Sequence, residues 1–352
     1  MPEKVLMKGN EALAEAAIQA GCKHFFGYPI TPQTEVAAYM SKRLPKIGGT
    51  YLQAESEVAA INMVLGCSAA GMRAMTSSSS PGISLKGEGI SYMAGSDLPG
   101  LIINVQRGGP GLGGIQPSQA DYWQATKALG HGDFQILVFA PSTVQEMVDL
   151  VSDAFDLGDK YRMPAMILAD GMLGQMMEPV VLPEGGKELP EKPWAASGHH
   201  DKRPHNVINS LYLTPQALEK LVRERYERYA IIKEKEQRAE EYLTEDAEVI
   251  VVAYGASSRV SRSAVNMARK KGLKAGLIRP ITLWPFPSKT IEKNVSGKAF
   301  LCVEMCMGQM VDDVRLAVNG AVPVSFFGHT GGIIPSPAEV LGEIKKLAGG
   351  AK

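Results

Sequence analysis

Apolar residues along the chain fall into two alternating rhythms. Short apolar or β-branched runs bounded by glycine, proline or serine read as strands, and longer stretches preceded by a capping residue read as helices. Residues 10–20 (NEALAEAAIQA) carry a cap-type Asn10 and stop at Gly21, which predicts a helix. A strand over 23–28 stops at Pro29, and Thr31 followed by Pro32 predicts a helix from about 32 to 43. The alternation then predicts strands near 50–53, 73–77, 100–106, 135–139 and 164–169, and helices near 55–71, 82–94, 118–128 and 142–157. Such alternation builds right-handed βαβ units on a parallel sheet. Ligands of such sheets sit beyond the strand carboxyl ends, here residues 28–31, 53–57, 77–82 and 106–109.

One of these helices stands out. From Val58 to Gly71 it is apolar on nearly every face, the pattern of a core helix, and Glu57 lies at its mouth. Two readings of Glu57 follow from local pattern: a first-turn acid that satisfies the helix dipole, or a carboxylate shielded from water and used on a bound cofactor.

Near Leu182 the texture changes to proline, glycine, lysine and histidine, which reads as a connector. It leads into TPQALEKLVRERYERYAIIKEKEQRAEEYL, a charged solvated or interdomain helix with Thr214 as cap. After Glu245 the alternation resumes through EVIVVAYG, KAGLIRP, KAFLCVEM and VPVSFFG, with helices near 258–271, 287–293 and 309–319 and a last one from about Pro337. The domain expectation is therefore 1–180 for the first α/β unit, 181–245 for linker and charged helix, and 246–352 for a smaller α/β unit. Gly255-Ala256-Ser257-Ser258 is only loosely similar to a dinucleotide fingerprint.

Length and charge narrow the function. A chain of 352 residues makes two domains the prior, and 37 basic against 37 acidic residues, with no long basic run, gives no support for nucleic-acid binding. No apolar stretch approaches a membrane span or a signal core, so a cytoplasmic protein with no membrane partner is expected. Cys22, Cys67, Cys302 and Cys306 are too few and too scattered for a disulfide framework or an iron–sulfur ligand run.

Candidate chemistry lies in the loops. The run from Ser77 to Ser80, including Ser78 and Ser79, is either a cap and turn or a loop that holds an anion or polar ligand edge. Residues 104–121 place five glycines after an apolar strand, with Arg107 at the base as a planar cation suited to a carboxylate or to a structural ion pair. His131 reads either as an acid/base group or as structural. No nucleophile motif or zinc spacing is visible.

Four blocks, FGYPITPQTE at 26–35, QAESEVAA to SAAGMRAMTSSSSPG at 53–82, VQRGGPG at 105–111 and RPITLWPFP at 279–287, resemble the alpha subunit of 2-oxoacid:ferredoxin oxidoreductases. The resemblance is nearest the 3-methyl-2-oxobutanoate (2-ketoisovalerate) branch. It implies an α/β fold with a thiamine-diphosphate pyrimidine-binding-type doubly wound domain plus a smaller transketolase C-terminal-like domain. It implies that Glu57 hydrogen-bonds the aminopyrimidine N1′ and so favours the imino form that can take the thiazolium C2 proton. Pro29, Ile30, Ser78 and Ser79 would line the cofactor, Thr31 would face the reacting centre and substrate, and Arg107 would clamp the 2-oxoacid carboxylate. The reaction implied is oxidative decarboxylation of a branched-chain 2-oxoacid to acyl-CoA and CO2 with reduction of ferredoxin. A 2-oxoglutarate enzyme and a non-catalytic assembly subunit are the alternatives. The chain lacks the G-D-G…Asn-Asn pattern for magnesium and diphosphate and lacks a ferredoxin-type cysteine run. Magnesium with the diphosphate, and [4Fe-4S] clusters, are therefore expected on beta, gamma and delta-type partner subunits. Two positions depart from the family pattern: Ser80 in the Ser-Ser-Pro-Gly turn, and Gln33 where a small residue is common.

Overall fold

In the computed structural model, which describes residues 3–183, 185–186, 188–296 and 299–349, alternating strands and helices run through the chain. They begin with β1 (Val5–Lys8), α1 (Gly9–Gln19), β2 (His24–Gly27), α2 (Thr34–Arg43), β3 (Thr50–Gln53), α3 (Glu57–Ala69), β4 (Ala74–Ser78) and α4 (Ser80–Gly95). Next come β5 (Gly100–Gln106), β6 (Leu137–Phe139), α5 (Val144–Tyr161), β7 (Pro164–Asp170), α6 (Gly171–Gln175), β8 (Met177–Val180) and α7 (Pro215–Lys235). The last part holds β9 (Ala239–Tyr242), β10 (Val249–Val252), α8 (Gly255–Arg269), β11 (Ala275–Pro280), β12 (Thr282–Trp284), α9 (Ser288–Lys293), β13 (Ala299–Glu304), α10 (Met310–Val318), β14 (Val324–Gly328) and α11 (Pro337–Gly349).

The main sheet has the order β12-β6-β7-β5-β4-β2-β3 and is parallel except for β12. Every residue of β4, β5 and β7 is buried, as expected for central parallel strands covered on both faces. After β3 forms the edge, the chain returns to the other side of β2 to make β4. Connections from β2 and β4 therefore diverge, which opens a crevice above their carboxyl ends. The second sheet, β14-β13-β10-β11-β9, is parallel apart from β9, and β1 pairs with β8 in a separate two-stranded ribbon.

Five differences from the sequence pattern have local causes. Helix α2 starts at Thr34, not Pro32: Pro32 lies in a turn after a cis peptide bond, and its carbonyl accepts from Asn10 Nδ2 at 2.8 Å. The charged helix ends at Lys235, because residues 239–242 form β9 and Glu240 is drawn to Arg279 and Arg262. The helix expected over 118–128 is confined to 122–128, and from Gln124 to Ala128 it is π-type. Strand β12 falls within the stretch 246–352 yet extends the main sheet beside β6. Helix α3 is not wholly buried in the chain: Val58 is 45% exposed, and Asn62 and Gly66 share that open face.

Residues 118–122 turn toward the second sheet instead. Gln119, fully buried, donates from Nε2 to the Tyr254 carbonyl (2.8 Å) and accepts from Met305 N–H at Oε1 (2.9 Å), while its own N–H donates to the Met305 carbonyl (3.0 Å). Gln309 adds a bond from Nε2 to the Ala120 carbonyl (2.8 Å). One polar side chain thus ties the base of the glycine-rich loop to two strand ends of the second sheet. Gln119→Leu strands the buried Met305 N–H, a loss of about 1–3 kcal/mol, while the Tyr254 carbonyl keeps its bonds from Ser257 Oγ (2.8 Å) and Ser258 N–H (3.3 Å). The expected outcome is a lower urea midpoint with the m-value unchanged.

Candidate active site

Four loops meet at the carboxyl edge of the main sheet. Ser56 caps α3, its hydroxyl accepting from Ala59 N–H at 3.2 Å, and this fixes Glu57 as the first helical residue. Glu57 is 6% exposed, and among the described residues its carboxylate has no hydrogen-bond partner. Across from it, α4 begins with Ser80 and Pro81, and Gly82 follows. A Cβ on Gly82 would lie 2.7 Å from Glu57 Oε1 and 2.1 Å from Ser78 Oγ. Glycine is therefore what allows the carboxylate and the serine to share this corner. Ser78 and Ser79 are fully buried and their hydroxyls have no partner among the described residues. Buried orphan hydroxyls are uncommon in finished cores, so they mark room for a ligand.

Arg107 joins the loops. Its main-chain N–H donates to Ser80 Oγ (3.1 Å), Nη1 to the Thr31 carbonyl (2.9 Å) and Nη2 to the Leu112 carbonyl (3.1 Å). Nε is buried without a partner among the described residues. The guanidinium is thus partly spent on backbone carbonyls, and the remaining N–H groups are what it can offer a ligand. Thr31 is exposed, Ile30 half-buried and Pro29 exposed, all on the loop after β2. Gln33 explains one departure from the family pattern. It is fully buried and links that loop to β4, accepting from Ser77 Oγ at 2.5 Å and donating to the Tyr28 carbonyl at 3.3 Å.

Below Arg107 lies a polar group absent from the sequence reading. Asp121 accepts from Ser80 Oγ (2.6 Å) and Asn104 Nδ2 (2.9 Å). Burial raises its carboxyl above the ordinary range, against these two hydrogen bonds and the charge of Arg107. Asp121, Ser80, Ser84, Gly108 and Gln124 line part of a cavity of about 270 Å3 beside the glycine-rich loop. That loop closes on itself through Gly108 N–H to Gln116 O (3.0 Å) and Gly114 N–H to Gly108 O (2.9 Å). Gly113, at φ +58°, is required there, because a Cβ would meet the Gly108 oxygen at 1.9 Å.

The structure thus brings Glu57, Ser78, Ser79, Arg107 and Thr31 to one edge. His131 stays outside: it is exposed and stacks edge-on with Tyr92, and its carbonyl accepts from Ser91 near the far end of α4, about 16 Å along the helix from Ser80. Asn104, Asp121 and Lys86 were missed in the sequence. The signal for Lys86 was a lone cation inside an apolar helical run.

A partnerless carboxylate, orphan hydroxyls and a strand-end crevice fit a polar, ring-shaped cofactor, and comparison with known proteins gives the class. The family model described as pyruvate flavodoxin/ferredoxin oxidoreductase, thiamine diphosphate-binding, matches residues 15–250, and the pyruvate:ferredoxin oxidoreductase core domain II model matches 247–340. In fold the chain is also similar to a split-gene transketolase (TM-score 0.58, 12% identity, 97% of this chain and 98% of that one). It is an α/β protein with a thiamine-diphosphate-binding domain. More particularly, the chain belongs to the 2-oxoacid:ferredoxin oxidoreductase family, as a subunit of such an enzyme. It is 49% identical to the ketoisovalerate oxidoreductase subunit VorB of Methanothermobacter marburgensis over 98% of both chains. It is 36% identical to the 2-oxoglutarate synthase subunit KorA of Methanothermobacter thermautotrophicus over 99% of this chain and 100% of that one. The 2-oxoglutarate:ferredoxin oxidoreductase of Magnetococcus marinus superposes with a TM-score of 0.89 at 27% identity, over 99% of this chain and 66% of that one.

Gly82→Ala tests the corner directly. Overpacking typically costs about 1–3 kcal/mol, and here the displaced atoms are Ser78 Oγ and Glu57 Oε1. Thiamine diphosphate affinity, read by near-UV circular dichroism of the assembled enzyme, should fall about tenfold or more.

Proposed function

We propose that this chain supplies the pyrimidine half of a thiamine-diphosphate site in an enzyme that oxidatively decarboxylates a branched-chain 2-oxoacid to acyl-CoA and CO2 and reduces ferredoxin. The observation that carries the reading is the buried Glu57 carboxylate without a partner, facing Gly82 beside the free hydroxyls of Ser78 and Ser79. A carboxylate so placed can accept from a ring N–H and hold a proton at the cofactor's N1′. When bound, thiamine diphosphate supplies the carbanion and electron sink that decarboxylation of a 2-oxoacid needs. Ser78, Ser79, Pro29 and Ile30 would hold its ring, and Thr31 would lie on the side of the substrate. Arg107 takes the substrate carboxylate with its uncommitted N–H groups while holding the Thr31 and Leu112 carbonyls.

Two features support a branched-chain substrate. The relative at 49% identity is named for ketoisovalerate, and the loop beside Arg107 exposes Leu112 (85%) and Ile115 (60%), which suit an apolar side chain better than a second carboxylate. The rest of the site we assign to partners: magnesium and the diphosphate to a beta subunit, and iron–sulfur clusters and the remaining chemistry to delta-type and gamma subunits. Tyr28, Leu52, Val58 and Leu85, all exposed around the crevice and the open side of α3 and α4, supply an apolar surface for such a subunit. Among the described residues no helix is long and apolar enough to cross a membrane, and we place the complex in the cytoplasm. The domain limits 1–180, 181–245 and 246–352 belong to the same reading.

Glu57→Gln in the reconstituted complex should leave assembly intact and lower 2-oxoacid-dependent viologen reduction by at least about a hundredfold. Near-normal turnover would make the chain an assembly subunit. Arg107→Met should raise KM for the 2-oxoacid and also lower kcat, since the Thr31 loop loses its anchor; an unchanged KM would remove the carboxylate role.

A further inference from the structure

The seam between α3 and α4 holds a group that the proposed chemistry leaves unused. Gly82 of α4 faces Glu57, and one face further along, a Cβ on Gly89 would meet Ile61 at 2.5 Å, so the two helices approach closely over two turns. Lys86 lies between these glycines, four residues beyond Gly82 and hence on the same face. It is fully buried, and the hydrogen bond its ammonium makes runs to the main-chain carbonyl of Glu57, at 3.5 Å. Three donors with one long bond are a costly arrangement for a cation. Burial lowers its pKa from 10.5 to about 8, with the charge of Glu57 acting the other way, and no other charged group among the described residues acts on it.

We propose that Lys86 is a positioning residue for Glu57: its ammonium holds the first turn of α3 by the Glu57 carbonyl and supplies the counter-charge for the Glu57 carboxylate. The inference rests on the reading of Glu57 as the carboxylate that meets the thiamine ring. Methionine of similar length would fill the seam without the desolvation cost, so a purely packing role gives no reason for lysine here.

The test uses wild type, K86M, E57Q and the double variant in the reconstituted complex, with K86Q as the variant that keeps a donor but no charge. Thiamine diphosphate affinity, read by near-UV circular dichroism, should fall about tenfold in K86M and K86Q, the scale of one nearby charge, with KM for the 2-oxoacid unchanged. In the E57Q background, K86M should cause no further loss. Wild-type affinity should decline as pH rises through about 8, where Lys86 gives up its proton, and K86Q should lack that decline. Thermal midpoints without cofactor provide a readout independent of catalysis: E57Q should destabilise the wild type, where it removes the negative charge that acts on the ammonium, and should do little in K86M. Equal affinity losses in both backgrounds, unchanged affinity in K86M and K86Q, or additive midpoints would overturn the proposal. Normal turnover by E57Q would instead defeat the reading of Glu57 itself, and the midpoints would then decide alone whether Lys86 and Glu57 are coupled. Should K86M fail to assemble, K86Q carries the same comparisons.

Discussion

The site depends on one residue that cannot be satisfied inside its own strand. Arg107 leaves β5 at the carboxyl edge of the sheet, and its main chain and guanidinium reach Ser80 at the start of α4, Thr31 on the loop after β2, and Leu112 on the glycine-rich loop. Parallel strands bring loop beginnings together but do not fix the loops relative to one another. A planar cation with five donors does so, because carbonyls arriving from different directions can each take a separate N–H. Asp121 then balances the local charge and holds Ser80 and Asn104, which keeps the start of α4 in place. Glu57 and Gly82 are consequently opposed across a rigid corner.

The second sheet reinforces this corner at a distance. Gln119 joins the far end of the glycine-rich segment to Met305 and Tyr254, and Gln309 holds the same end by donating to the Ala120 carbonyl. A loop with five glycines carries a large conformational entropy. Anchoring it at Arg107 on one side and Gln119 on the other leaves only the tip, with Leu112 and Ile115, open to solvent. That division suits a site whose fixed part meets a cofactor and whose adaptable part meets a substrate side chain.

Much of the fold was legible from periodicity, because the buried strands β4, β5 and β7 are bounded by turn residues and their helices by caps. The sequence also pointed to Glu57, to the serine run and to Arg107, each a polar residue at a strand end. It failed where tertiary partners override local pattern. Pro32 looked like a helix start but sits in a turn whose carbonyl Asn10 takes. AEEY looked like the end of a charged helix, yet its alternate residues meet Arg279 and β11. Asn104, Asp121 and Lys86 were invisible because their roles depend on contacts between elements, which spacing along one element does not report.

Helix α3 departs from its sequence pattern for a different reason. Its apolar composition read as burial on all sides, whereas Val58, Asn62 and Gly66 face outward. Composition records every surface that a helix covers during its working life, including surfaces that only a partner subunit completes. The polar groups follow the same logic. Glu57, Ser78 and Ser79 are withdrawn from water without full hydrogen bonding, which a stable isolated chain gains nothing by keeping. Unmet hydrogen bonds on one wall and an uncovered helix face beside it are what the proposed half-site requires: a cofactor to meet the polar groups and a second protein surface to cover the helix.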